Sequence, residues 1–444
     1  MKKIEITNVV VDGNSIHYQV QSDPSISFVK QGNNDLFITY HWGRDYGCNL
    51  SSAPTSILLL PLSLYLLPFT YFYSDIELVI PEMDKVLYDQ LPTIYEAYSK
   101  IYGPFKPEWR GKLTVGKVVE NIPFTDAKYD KVVFFSGGVD ACHAGINNPG
   151  KNSLLVSIPD IERDAVDEGP LRDEKFSLIK NFSDVVKSDW LLISNNFNRC
   201  LFIESEISKY LKYTRKLDSP AYRFDGWGGI RYLANMCCVA PVSFLTGVKS
   251  LVMGSSFEQI ENDMQINYDG ANPDLTNSIV FANTSFAEQD GPTIRRSVKV
   301  ANIIKWCKKN NVKTKMWACF TNGSVQCGYC GKCVRTQLNI LCTGENPKDW
   351  GFENFSEKDF EEYVRAYRYV ESNPCWMWDN IETIDNNTTY PYCNDLLHWL
   401  KSIGYKKYHI MAQEHAKPTI LKKLLNFKNY PQYIKIVLAK IFNK

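Results

Sequence analysis

The feature that most limits what this chain can fold into is a short apolar run, Val132-Val133-Phe134-Phe135, that ends at Ser136-Gly137-Gly138. No polar residue alternates within it, so a strand there must be covered on both faces, as interior parallel strands are. Similar runs follow over 153–158, 190–193 and 250–253, the last leading into Gly254-Ser255-Ser256. Segments with helical character lie over 171–187, 203–212 and 229–238. Strands alternating with helices predict an α/β fold, a parallel doubly wound sheet with right-handed crossovers. Ligands in such sheets bind beyond the carboxyl ends of the strands, which directs attention to the glycine and serine turns after the first and fourth of these runs.

The flanking regions read differently. Residues 1–128 carry β-like runs over 4–11, 16–20 and 36–40, an apolar stretch over 57–73 and a helical pattern over 86–102, and predict an added N-terminal α+β domain. Residues 129–345 form the α/β domain, and 346–444 read as a helical region rich in Trp and Tyr. Its last part, 417–444, has seven lysines and no acidic residue. A length of 444 residues exceeds what one core usually serves. With 50 Lys+Arg against 49 Asp+Glu, the charge argues against a polyanion binder that uses its whole surface and leaves a local basic patch, nucleic-acid contact and homo-oligomerisation open. The 57–73 stretch is interrupted by Pro61 and Pro68 and falls short of the roughly 20 apolar residues of a membrane span. Met1-Lys2-Lys3-Ile4-Glu5-Ile6 leads into no apolar signal segment, so a cytoplasmic protein is expected. Its 13 cysteines then read as thiols or metal ligands instead of a disulfide framework.

Ser136-Gly137-Gly138-Val139-Asp140-Ala141 follows a strand and opens a helix. Glycines let a backbone approach an anion closely, and a helix N-terminus offers unpaired N–H groups. Ser136 adds a hydroxyl, and Asp140 lies where it can orient the loop or help position Mg²⁺. The spacing is neither that of a Walker A loop nor G-x-G-x-x-G. His143 lies one turn beyond Asp140 and reads as a phosphate contact or a buried helix histidine.

Cys319, Cys327, Cys330 and Cys333 form C-x7-C-x2-C-x2-C. Thiolates at this density suit tetrahedral Zn²⁺ in a closed, structural site, with an iron–sulfur cluster as the chemical rival. Gly328 and Gly331 each follow a cysteine and accept the positive φ of a tight knuckle. Cys307 and Cys342 are alternative ligands.

The loop resembles the PP-loop signature S-G-G-x-D-S, with Ala141 at the last serine. Together with Cys327-Gly328-Tyr329-Cys330-Gly331-Lys332-Cys333-Val334-Arg335-Thr336, the region 131–344 resembles the 7-cyano-7-deazaguanine synthase (QueC) family, above all its larger defence-associated members of the QatC type. The resemblance implies an adenine nucleotide hydrolase-like sheet with a four-cysteine zinc knuckle. It also implies ATP, Mg²⁺ and Zn²⁺, and cleavage of ATP to AMP and pyrophosphate while a 7-deazaguanine carboxylate is activated and passed to an amine. In the defence-associated relatives that amine belongs to a partner protein; in the synthases it is ammonia. The implied nucleotide contacts are Ser136, Gly137, Gly138, Val139, Asp140 and Ala141, with Ser157 and Ile158 near adenine and Ser255, with Ser256, lining the pocket. Asp140, Arg295 and Lys299 are the implied catalytic residues, with Arg296 and Arg231 as further cations. Three other readings stay open: a nitrile-forming small-molecule enzyme, a tRNA-modifying thiolase using Cys142 and Cys200, and a non-catalytic nucleotide-binding subunit in which Ala141 marks lost activity.

Overall fold

The computed structural model describes residues 1–26, 35–44, 48–102, 110–124, 127–158, 170–197, 236–255, 273–282, 284, 286–319, 325–371 and 374–416. They fall into two compact units, the first running to Ala318 and the second beginning at Cys319. No helix among them is long and apolar enough to cross a membrane.

Ten strands build the first unit: β1 (Lys2–Asp12), β2 (Ser15–Ser22), β3 (Asp35–Trp42), β4 (Ile76–Asp84), β5 (Lys112–Val119), β6 (Lys131–Phe134), β7 (Ser153–Ser157), β8 (Asp189–Asn195), β9 (Ser250–Gly254) and β10 (Phe286–Asp290). They share one sheet in the order β10-β9-β6-β7-β8-β3-β2-β1-β4-β5. The run β10-β9-β6-β7-β8 is parallel throughout, β8-β3-β2-β1 is antiparallel, and β1-β4-β5 is parallel again. The apolar runs behave as double-sided burial demands: β7 is buried at every residue, and β6 and β9 at all but one.

The strands on either side of residue 128 belong to this one sheet. β3 pairs with β8 from Ile38 opposite Asn195 to Trp42 opposite Leu191. One hydrophobic core runs beneath both, from Ile4 through Tyr40 and Val132 to Met253. The apolar stretch over 57–73 is buried at every residue. It folds as three short helical segments, Thr55–Leu58, Leu60–Leu66 and Pro68–Phe72. Pro61 and Pro68 sit in the first turns of the second and third, where a missing N–H costs nothing. Tyr18 donates its hydroxyl to Leu58 O across that core (2.9 Å).

Further helices of the first unit, among the described residues, include α1 (Lys85–Tyr102), α2 (Val139–Asn147), α3 (Pro170–Val186), α4 (Ala240–Thr246) and α5 (Arg296–Asn310). Three strands, β4, β5 and β10, carry no apolar run strong enough to mark them beforehand. β5 lies at the sheet edge with Gly116, Lys117 and Val118 exposed. The helix expected over 203–212, and most of that over 229–238, lie outside the described residues.

The second unit is helical, as its composition suggests: α6 (Gly331–Leu341), α7 (Glu357–Arg365), α8 (Pro374–Glu382), α9 (Asn394–Ile403) and α10 (Tyr405–Ala416). Met377 is wholly buried in α8. The Trp376 ring carries the buried Arg335 guanidinium 4.2 Å from its centroid. The lysine-rich segment over 417–444 lies outside the described residues.

Candidate functional site

Within the parallel run, the five strands stand across the sheet in the chain order fifth-fourth-first-second-third. The chain winds outward from β6 to β8 and then crosses back to β9, so its direction reverses between β6 and β9. A crevice opens at such a reversal, beyond the carboxyl ends of the two strands. The loop 135–138 leaves β6 there, and Gly254-Ser255 leaves β9.

The loop geometry requires glycine at position 137. Gly137 has φ +84°, and a Cβ on it would lie 2.3 Å from Leu178 Cδ2 and 3.2 Å from Trp317 Cβ. Its carbonyl accepts the Trp317 N–H (2.7 Å) and the Cys142 thiol (3.4 Å). Gly138 caps α2 from an extended conformation. The first intrahelical bond runs from the Cys142 N–H to Gly138 O. The N–H groups of Val139, Asp140 and Ala141 therefore have no partner within the helix. On the other wall, a Cβ on Gly254 would meet Asp140 O at 2.3 Å, so the end of β9 presses its backbone onto the first turn of α2.

Asp140 is where the two walls meet. Its Oδ2 accepts from Arg296 (2.7 Å) and its Oδ1 from Lys299 Nζ (3.1 Å). The Lys299 ammonium also donates to Ser255 O. Lys299 is 1% exposed and Arg296 8%. Burial would raise the Asp140 carboxyl, but the Arg296 and Lys299 charges outweigh it and hold the group at about 2. Both carboxylate oxygens are thus engaged by cations. An ammonium has three donors, and two of those on Lys299 are taken among the described residues.

A second cluster adjoins the first, buried at His143 and exposed at Asn147 and Asn302. His143 Nδ1 meets Asp290 Oδ2 at 2.5 Å, and Asn147 donates to Asp290 Oδ1 (2.8 Å). The Asn302 amide lies 3.3 Å from His143 Nε2. Burial pushes the Asp290 carboxyl up, but hydrogen bonds from His143 and Asn147 and the nearby Lys299 charge leave it below its ordinary value.

The expected residues divide accordingly. Ser136, Gly137, Gly138, Val139, Asp140 and Ala141 form the loop and first turn, with Ser136 exposed. Lys299 reaches Asp140, but its expected companion Arg295 is the exposed cap of α5, and Arg296 occupies the inward position. Ser157 is buried at the end of β7 and Ile158 half-buried beyond it. Ser255 turns its hydroxyl into the β9–β10 pairing, donating to Gln289 Oε1 (2.6 Å), and offers its carbonyl to Lys299. His143 faces Asp290. Arg231, Ser256 and Cys200 lie outside the described residues. Asp290, Asn302 and Trp317 carried no sequence signal, since each acts through contacts far apart in the chain.

In the second unit, Cys319, Cys327, Cys330 and Cys333 bring their sulfurs within 4.8 Å of one another. The Cys327 and Cys333 sulfurs are 3.9 Å apart. A tetrahedral site with metal–sulfur bonds of about 2.3 Å has S–S edges of about 3.8 Å. The Cys327 N–H points to the Cys319 sulfur and the Cys330 N–H to the Cys327 sulfur, both at 3.3 Å. Gly328 has φ +78°, as a knuckle needs, whereas Gly331 is the first residue of α6 and adopts no positive φ. The hydrogen bond with Cys330, burial and neighbouring sulfurs push the Cys333 thiol far up, and a bound cation reverses that by accepting thiolates. The cluster is compatible with a metal ion such as zinc. Cys307 is buried on α5 in the first unit and is not part of it; nor is Cys342.

Comparison with known proteins finds no matching family model, no matching curated protein and no matching solved structure.

Proposed function

We propose that the crevice between β6 and β9 binds ATP through its phosphates and uses it to adenylate a 7-deazaguanine carboxylate, which is then passed to an amine on a partner protein in a bacterial anti-phage system. The observation that carries the reading is the coincidence of three features at the sheet's reversal point: the loop with its positive-φ Gly137, the N–H groups of the first turn of α2 that have no partner within the helix, and the Lys299–Asp140–Arg296 cluster. The resemblance of the loop and the cysteine segment to QueC-like proteins supplies the substrate class and the acceptor. Zinc is the metal assigned to the four cysteines, which leave no open coordination position and so give it a structural role.

In the first step a carboxylate oxygen attacks the α-phosphorus, and the bond from that phosphorus to the bridging oxygen breaks. Pyrophosphate leaves with the electron pair. Loop N–H groups and Lys299 hold the leaving charge, in a low-dielectric crevice where such donors act strongly. In the second step the amine nitrogen attacks the acyl carbon, AMP leaves, and the amine loses a proton. Asp140 keeps Arg296 and Lys299 in place for both steps.

Exchange of labelled pyrophosphate into ATP tests the first step. The reading predicts exchange that depends on 7-carboxy-7-deazaguanine. ATP binding without any exchange would instead indicate a nucleotide-binding subunit. Mass spectrometry of the partner protein tests the second step, and free nitrile without partner labelling would assign ammonia as the amine.

A further inference from the structure

His143 and Asp290 touch neither the glycine loop nor the cysteine knuckle, yet both are largely buried and bonded to each other. They lie in a polar seam between two helices. On α2, Asp140, His143 and Asn147 follow one another at helical spacing along one face. On α5, Arg296, Lys299 and Asn302 do the same. The pairs across the seam run in step: Asp140 with Arg296 and Lys299, then His143 with Asn302. Asp290 closes the seam from the end of β10 by accepting from both His143 and Asn147. Its backbone carbonyl accepts the Ser255 N–H (3.1 Å), beside the carbonyl that receives Lys299. The imidazole therefore ties together the loop-bearing helix, the edge strand and the helix that carries Lys299. The seam opens to solvent at Asn147 and Asn302 but is buried at His143, Arg296 and Lys299, and polar groups buried there cost stability unless satisfied, so their presence calls for a return other than packing.

We infer that His143 and Asp290 are a positioning pair for Lys299: they hold α2 and α5 in the register that aims the ammonium at the phosphate loop, and Asp290 adds a second counter-charge that tempers anion affinity. This deepens the phosphate-binding reading above and rests on it. Because Nδ1 is the atom bonded to Asp290, His143→Asn can replace that donor, whereas His143→Leu cannot. Asp290→Asn keeps the shape and removes a negative charge near Lys299.

The test is calorimetric binding of magnesium pyrophosphate to the full chain, well below each variant's melting temperature. His143→Leu should weaken binding about tenfold, and His143→Asn should stay within about twofold of the unaltered protein. Asp290→Asn should bind about fivefold more tightly, since a like charge has left the neighbourhood of the anion. A purely structural role would instead lower the melting temperature of all three and tighten none. Unaltered protein that binds pyrophosphate, with His143→Leu binding equally well or Asp290→Asn binding more weakly, would overturn the positioning role alone. Unaltered protein that binds no pyrophosphate would overturn the loop reading itself, and this inference with it.

Discussion

Asp140 takes part in two hydrogen-bonded ion pairs at once, and its acid–base behaviour follows. Its folded-state value of about 2 lies below the ordinary 3.8. A depressed carboxylate contributes stability above its unfolded value, and that contribution fades as pH falls through the folded one. The window is therefore pH 4 down to about 2, and the shift corresponds to about 2 kcal/mol. Urea unfolding at pH 6 and pH 2 should show the unaltered protein losing about 2 kcal/mol more than Asp140→Asn does; equal losses would mean that Arg296 and Lys299 do not hold the carboxylate. Residue-level legibility divides by distance in sequence. The loop and the cysteine knuckle are contiguous, so the strand–turn–helix and the gathering of four sulfurs were legible in the residues alone. The choice between Arg295 and Arg296 was open to a helical reading, because Arg296 shares a face with the buried Lys299, Val300 and Ile303. The His143–Asp290 pair spans 147 positions and left no local trace.

At the scale of elements, the interior strands were legible because double-sided burial removes polar alternation, and α1 because an apolar stripe recurs along it. β10 was not, since Phe286-Ala287-Glu288-Gln289-Asp290 is largely polar and is held by parallel pairing with β9. The cysteine knuckle is an element whose four sulfurs lie close enough to share one metal ion. Four sulfurs this close cannot all ionise without a cation, and metal binding by such clusters is folding free energy. Elemental analysis should find one zinc per chain, and Cys330→Ser should lose it. Hydrogen exchange should then show lost protection in α6 and α7 while β6, β7 and β9 keep theirs. Iron, or no metal in the unaltered protein, would reject the zinc assignment.

For the molecule as a whole, the continuity of the sheet matters most. An N-terminal domain was expected from the change of pattern near residue 128, yet β3 hydrogen-bonds to β8, and Tyr40 donates to Cys238 O across 198 positions (2.8 Å). Pairing between strands so far apart is set by topology, which composition and periodicity do not encode. Removing residues 1–128 should therefore strip β8 of its neighbour and open the shared core, leaving an aggregating chain with no cooperative melt. A soluble, monomeric 129–444 fragment with a sharp transition would show that the α/β part is self-sufficient. The central claim, that the reversal point of this sheet is a PP-loop site, is tested most directly by identifying the products of ATP incubated with the full-length protein and 7-carboxy-7-deazaguanine. The account predicts AMP and pyrophosphate in equal amounts, lost in Lys299→Met; ADP and free phosphate would contradict it.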